Sequence, residues 1–235
     1  EVIKDPKEVD IRFGFCFPDV YEVGMSHLGS RILYHVLNQR KDTYCERVYA
    51  PWPDMEKLMR ENNIPLYALE TKDPINEFNF LAFTLQYEMS YTNILNMLNM
   101  GGIPLRASER TEKDPLVIAG GPCAYNPEPL YDIVDIFQLG EGEEGLNDLL
   151  DLYQKHKDNF NKEAYLREAS HIPSVYIPSL YDVTYNEDGT IKEFIPKYDD
   201  VPKKVKKRII NNFDQVDFPE SLIVPYSEIV HDRVV

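Results

Sequence analysis

Apolar residues along this chain fall into short, nearly continuous runs separated by longer stretches in which they recur every three or four positions. The runs are Ile11 to Phe17, Arg47 to Ala50, Phe80 to Leu85, Leu116 to Ala119 and Ile136 to Leu139. Their length and near-continuous apolarity predict strands buried on both faces. Between the runs, Leu28, Ile32, Leu33, Val36 and Leu37 share one helical face, with Ser26 as the expected cap. Asp54 to Asn62 reads as a helix with Pro53 near its start, and Glu88 to Met100 as another closed by Gly101-Gly102. After the fifth run, Leu146, Leu149, Leu150 and Tyr153 form a further apolar face. Residues 1 to 10 read as a loose lead-in, Asp19 to Gly24 as a loop, and Leu66 to Glu70 as a small extra strand.

Strand-helix alternation of this kind predicts an α/β fold, a Rossmann-like or flavodoxin-like doubly wound parallel sheet. Ligands of such sheets gather outside the carboxyl ends of the strands. After His156 the pattern changes. A short helix around Lys162 to Ala169 precedes Val175-Tyr176-Ile177, and Leu180 to Tyr185 and Thr190 to Ile195 flank the turn Asn186-Glu187-Asp188-Gly189, a strong hairpin signal. The expected division is a sheet domain over 1–156, a small hairpin-containing α+β appendage over 157–220, and a linker over 221–235. The chain opens at Glu1 without Met and stops in an apolar segment, so it reads as a piece of something longer.

Candidate chemistry concentrates in LVIAGGPCAYNPEPLYDIVDIFQLGEGEEG, Leu116 to Gly145. Gly120 and Gly121 follow a buried strand, where glycine serves a positive-φ turn or the close approach of a ligand, and Pro122 stiffens the exit. Gly140-Glu141-Gly142-Glu143-Glu144-Gly145 matches G-x-G-x-x-G between a strand and a helix. A dinucleotide site is rejected, because three glutamates would occupy the pyrophosphate position; they are better read as partners of the helix N-terminus. A receiver domain needs an aspartate after the third strand, where Thr84-Leu85-Gln86 stands, and a flavodoxin needs a hydroxyl-rich loop where Pro18-Asp19-Val20-Tyr21 stands. At the ligand-facing strand ends, Ser26, His27, Gln86, Tyr87 and Glu88 remain as candidates. His27 is placed either as a helix-cap or polar-core histidine or as an axial ligand to a corrinoid cobalt, and Glu88 either meets a polar ligand or simply opens its helix.

Composition narrows the partners. The 235 residues are 43% hydrophobic, and 40 acidic against 25 basic side chains give a net charge of −15, which disfavours general adhesion to nucleic acid or anionic membrane. Lys203, Lys204, Lys206, Lys207 and Arg208 are the local exception and the candidate RNA contact, against a plain solvated or docking edge. Cys16, Cys45 and Cys123 have neither metal spacing nor a disulfide pattern, which suggests a reducing, cytoplasmic compartment. No run approaches the ~18 apolar residues of a membrane span, and no signal peptide is read ahead of the first strand. No catalytic or metal-binding residue is assigned.

Taken together, PDVYEVGMSHLG, FTLQYEMSYTNILNML, VIAGGPCAYNPEP, DIFQLGEGEEG and VPYSEIVHDRVV resemble the amino-terminal part of a radical S-adenosylmethionine protein family with a cobalamin-binding-like domain. The resemblance implies a following TIM-type barrel whose C-x-x-x-C-x-x-C motif holds a [4Fe-4S] cluster and S-adenosylmethionine, a motif this chain does not contain. It also implies that Gly120, Gly121, Pro122, Gly140, Glu141, Gly142 and Glu143 face a cobalamin edge. The histidine-on cobalamin motif D-x-H-x-x-G is broken at both ends around His27, by Met25 and Ser30, which counts against cobalamin. The expected function is an accessory domain that positions corrinoid or substrate over the barrel, without catalysis of its own. The alternative is a cofactor-less interaction module for RNA or a protein partner.

Overall fold

A computed structural model of the chain describes residues 1–212, 214 and 216–219. In the main sheet, β1 (Ile11–Phe17) lies between β2 (Thr43–Tyr49) and β3 (Phe80–Thr84), and β4 (Leu116–Gly120) and β5 (Ile136–Gln138) follow outward, all parallel. The order β2-β1-β3-β4-β5 is a doubly wound order whose direction reverses between β1 and β3. The α/β class read from the sequence therefore stands. Phe13, Phe80, Phe83, Leu81, Val117 and Phe137 are buried in its core, as strands covered on both faces require.

The helices are α1 (Tyr21–Gly24), α2 (Leu28–Gln39), α3 (Pro53–Glu61), α4 (Tyr91–Met100), α5 (Gly142–His156) and α6 (Lys162–Ala169). Right-handed crossovers put α2 on one face of the sheet and α3 and α4 on the other. Polar ties fix each layer. Arg40, just past α2, donates to Asn147 and Asp151 of α5, and Arg60 of α3 donates to Asn96 and Asn99 of α4.

Several expectations give way to tertiary contacts. Residues 1 to 10 are pinned rather than loose, since Lys4 Nζ donates to the carbonyls of Asn38, Arg40 and Thr43. β2 begins at Thr43, four residues earlier than its apolar run, and its buried Glu46 is matched by Arg12 and Thr71. Asp19 to Gly24 contains the short α1. Leu66 to Glu70 is no strand; it makes one isolated bridge, Tyr67 to Pro74, and its N–H groups find separate partners. Val175-Tyr176, expected in the appendage, is β6, which pairs antiparallel with β5 at the edge of the main sheet.

Beyond β6, β7 (Tyr181–Tyr185) and β8 (Ile191–Pro196) form the expected hairpin, with Gly189 at φ 82 in its turn. It leans on the body through the rings of Tyr176, Tyr181 and Phe194, whose centroids lie 5.1–6.1 Å apart. Residues 221–235, expected as a linker, lie outside the described residues.

A buried charge cluster ties β4, β5 and α6 together. Arg110 Nε and Nη2 donate to Asp135 Oδ2 at 3.1 and 2.9 Å, Val117 N–H donates to the same oxygen at 2.9 Å, and Lys162 Nζ reaches Oδ1 at 2.9 Å. Arg110→Ala leaves that carboxylate buried with one cation fewer, so unfolding free energy is expected to fall by about 3 kcal/mol. Urea titration reads this directly, and an unchanged midpoint would show that Lys162 alone balances Asp135.

Candidate functional site

Strand register builds the site. Phe15, Ala82 and Ile118 lie side by side, and two residues nearer the carboxyl ends Thr84, Gly120 and Gln138 form a second row. Side chains alternate along a strand, so both rows face the α2 and α5 side. Ala82 and Gly120 are too small to fill the space beneath those helices. A cavity of about 370 Å³ remains, walled by Phe15, Leu33, Ile118 and Leu146. A second cavity of about 470 Å³ shares His27, Gly29, Thr84 and Gln86 with the first and extends toward Asp19 and Val23.

Most of the residues expected from sequence converge here. Gly120, Gly121 and Pro122 border the first cavity from the end of β4, and Gly140, Glu141, Gly142 and Glu143 border it from the end of β5. His27 and Gln86 stand between the two cavities, while Ser26 and Tyr87 border only the second. Glu88 borders neither. It is exposed and opens the 3-10 turn Glu88–Ser90 ahead of α4.

The glycines divide by what a side chain would meet. Gly121 has φ 103, and a Cβ there would stand 2.9 Å from the Leu85 carbonyl oxygen; Gly140 has φ 90, and its Cβ would fall on the backbone of Arg208. Both serve close approach of the chain to itself. At Gly120 the nearest atom is 3.5 Å away and φ is ordinary, so this position alone of the three admits a side chain.

The segment ending at Ile210 lies across the G-E-G-E turn like a strap. Arg208 bridges Gly140 in parallel, its N–H donates to Leu139 O at 2.8 Å, and Ile210 N–H donates to the Glu141 carboxylate at 2.9 Å. The Arg208 guanidinium pairs with Asp148 and Glu144 of α5. Within the basic cluster, Lys203, Lys204, Lys206 and Lys207 are exposed. Glu141, read as a helix-terminus partner, makes no side-chain cap and instead holds the strap.

His27, not Ser26, caps α2. Its Nδ1 accepts the Ser30 backbone N–H at 3.1 Å and lies 2.8 Å from Ser30 Oγ, and the ring rests near Gly29, where any Cβ would press on it. A backbone N–H can only donate, so Nδ1 presents its lone pair and the neutral ring carries its hydrogen on Nε2. Burial lowers the pKa of His27, with Gln86 pulling the other way. Ser26 Oγ donates instead to Val23 O. Of the cysteines, Cys16 and Cys45 are buried, and burial pushes both thiols up. Among the lining residues that escaped the sequence reading are Gln138, Thr84 and Gly29. Gln138 and Thr84 are polar ends of apolar runs, and strand alternation from Ala82 and Ile118 is the signal that could have found them; Gly29 carried none.

Comparison with known proteins adds a family. The domain family described as radical SAM proteins, N-terminal, matches residues 29–178. An uncharacterised protein of Methanocaldococcus jannaschii is 26% identical over 128 residues, covering 54% of this chain and 23% of that protein, so the chain spans about a quarter of that relative. Two structures of the radical S-adenosylmethionine methyltransferase TsrM from Kitasatospora setae are similar over 76% of this chain. The one with tryptophan substrate and a SAM analogue is 13% identical with a TM-score of 0.43 over 29% of its length. The one with cobalamin and a [4Fe-4S] cluster is 12% identical with a TM-score of 0.44 over 28% of its length. Among the described residues no helix is long and apolar enough to cross a membrane.

The glycine geometry predicts opposite outcomes for neighbouring substitutions. Gly121→Val is expected to lower stability by more than about 2 kcal/mol, because φ and Leu85 both oppose it, and Gly120→Val by less than about 1 kcal/mol. Thermal unfolding of the two variants checks this; equal losses would refute it. Titration gives a second expectation. The folded pKa of His27 lies below its ordinary 6.5, so below that pH the unfolded chain binds more protons and stability falls as pH drops from 7 toward 5. His27→Gln should flatten that part of the pH-stability curve, measured as melting temperature against pH.

Proposed function

The chain belongs to the family of N-terminal domains of radical SAM proteins, and from that premise we propose that it is an accessory domain that holds a corrinoid or the substrate at the carboxyl end of its sheet. A barrel carrying the [4Fe-4S] cluster and S-adenosylmethionine would follow in the same polypeptide, and this chain would contribute no catalysis of its own. The observation that carries the reading is the cavity at the strand ends, whose Gly120 position leaves its wall free of a side chain. Doubly wound sheets bind ligands at this edge, and cavities of a few hundred Å³ with apolar walls and few polar groups are the usual form of such sites.

The residues present suit a corrinoid held by contact and hydrogen bonds rather than by a protein ligand to cobalt. Phe15, Leu33, Ile118 and Leu146 offer an apolar wall. His27 would offer Nε2–H, a donor, because its lone pair is engaged at the helix end. A bound corrinoid would supply a cobalt centre able to carry an alkyl group. Anionic ligands are disfavoured, since Glu141 and Glu143 at the cavity border outnumber the exposed Lys207 there and the charge of Arg208 is answered by Asp148 and Glu144.

A second reading draws on the exposed Lys203, Lys204, Lys206 and Lys207 beside the strap: a module that has no cofactor and binds RNA or a protein partner. Mixing the chain with hydroxocobalamin and following absorbance through size exclusion separates the two. Co-elution is expected. Electron paramagnetic resonance of the cob(II)alamin complex should then show no nitrogen superhyperfine splitting, and His27→Ala should leave the cobalt lines unchanged. Splitting that is present in the wild type and lost in His27→Ala would overturn the assignment of His27 as a donor; absence of co-elution would favour the module.

A further inference from the structure

Among the described residues, two buried side-chain polar atoms have no hydrogen-bond partner, Gln138 Oε1 and Arg208 Nε, and both residues border the same cavity. Gln138 is 3% exposed. Native structures keep few such atoms, and those that persist call for a physical reason.

Neighbours fix which way the Gln138 amide points. Nε2 donates to Ser174 Oγ at 2.7 Å and faces Glu141 O at 3.5 Å. The Glu141 carbonyl can only accept, so an N–H and not an oxygen belongs on that side of the amide. Ser174 itself sits at φ 78, a left-handed conformation uncommon outside glycine, and the chain tolerates this while placing the hydroxyl against the amide. On the other side, Gly145 of α5 leaves room, since a Cβ there would fall on the Gln138 amide. A leucine at 138 would be the simpler filling for the end of an apolar strand run. The surroundings instead accommodate an amide and leave its oxygen unmet.

We infer that the cavity takes an uncharged, largely apolar group that presents an N–H or O–H to Gln138 Oε1. The inference rests on the reading of this cavity as a ligand site and adds the ligand's chemistry. Glu141 and Glu143 at its border outnumber Lys207, the exposed lysine there, which disfavours an anion, and the apolar walls match a neutral body. Arg208 Nε–H, the second unmet atom, is a donor, so a carboxamide is the simplest group with both complements.

Two probes test this on the full chain. Benzamide, a neutral apolar amide, is expected to shift amide resonances around the cavity in nuclear magnetic resonance titrations, and benzoate of the same shape is not. Gln138→Leu should weaken benzamide by about tenfold while leaving the melting temperature close to the wild-type value. Gln138→Glu keeps an acceptor oxygen in either protonation state, so it should retain benzamide binding where Gln138→Leu loses it. Equal binding of benzamide and benzoate by the wild type, or equal binding of benzamide by wild type and Gln138→Leu, overturns the inference. Hydroxocobalamin measured by equilibrium dialysis on the same proteins keeps the two questions apart. Benzamide binding that depends on Gln138, without uptake of hydroxocobalamin, defeats the corrinoid reading and leaves this inference standing.

Discussion

Two points of backbone self-contact, at the ends of β4 and β5, determine the shape of everything around the cavity. At Gly121 the chain turns with φ 103 against Leu85, which lets Leu85 N–H reach Gly120 O at 2.7 Å and Cys123 N–H reach Leu85 O at 3.1 Å. At Gly140 it turns with φ 90 against Arg208, which seats the strap and starts α5 two residues later. Neither position tolerates a side chain, and each contact is between segments distant in sequence. The motif G-x-G-x-x-G here serves docking of one backbone on another. The same glycine chemistry that admits a pyrophosphate elsewhere admits the Arg208 main chain in this protein.

That exchange explains how the charges settle. A net charge of −15 and an acidic turn at a helix start describe a surface unsuited to phosphate, yet the acids are not idle. Glu141 accepts the Ile210 N–H, and Glu144 and Asp148 meet Arg208. A basic cluster that reads as a surface patch thus contributes one member, Arg208, to ion pairs beside the site and leaves four lysines exposed. Arg208 is answered by Glu144 and Asp148, and at the cavity border Glu141 and Glu143 outnumber Lys207, so hydrogen bonding to a neutral group rather than attraction of an anion sets what the cavity can select.

Elements defined by their own residues were legible in the sequence. Ile11–Phe17 and Lys162–Ala169 have the expected bounds, β3, β4 and β5 differ by one residue, and the hairpin turns at Asp188-Gly189. What escaped depended on partners far along the chain. The first half of β2 hides behind Glu46, whose burial makes sense only once Arg12 from β1 and Thr71 are beside it. Val175-Tyr176 is too short to announce a strand, and its place is set by Phe137 and Gln138 opposite. The glycines were found but their roles were not separable, since positive φ, close packing and an open wall look alike in one-letter code. Gln138 was invisible as a site residue for a related reason: a polar residue closing an apolar run reads as the end of a strand, and only the register with Thr84 and Gly120 turns it toward the cavity.

The departure of this sequence from D-x-H-x-x-G and the capping of α2 are two views of one physical fact. A carboxylate two residues before a histidine would draw a hydrogen onto one ring nitrogen and free the lone pair of the other for a metal. Met25 stands in that position and offers no such acceptor. The ring is then available to the nearest unmet groups, the N–H donors at the start of a helix, and it turns its Nδ1 lone pair to Ser30. Once that bond forms, the hydrogen must reside on Nε2, and lowering of the pKa by burial keeps a second proton off the ring. The nitrogen left facing the cavities is therefore a donor, and a ligand can use it through an acceptor atom but not through a metal. Restoring a lone pair at Nε2 would require giving up the cap, so the local fold and the chemistry of the site are held by the same hydrogen bond.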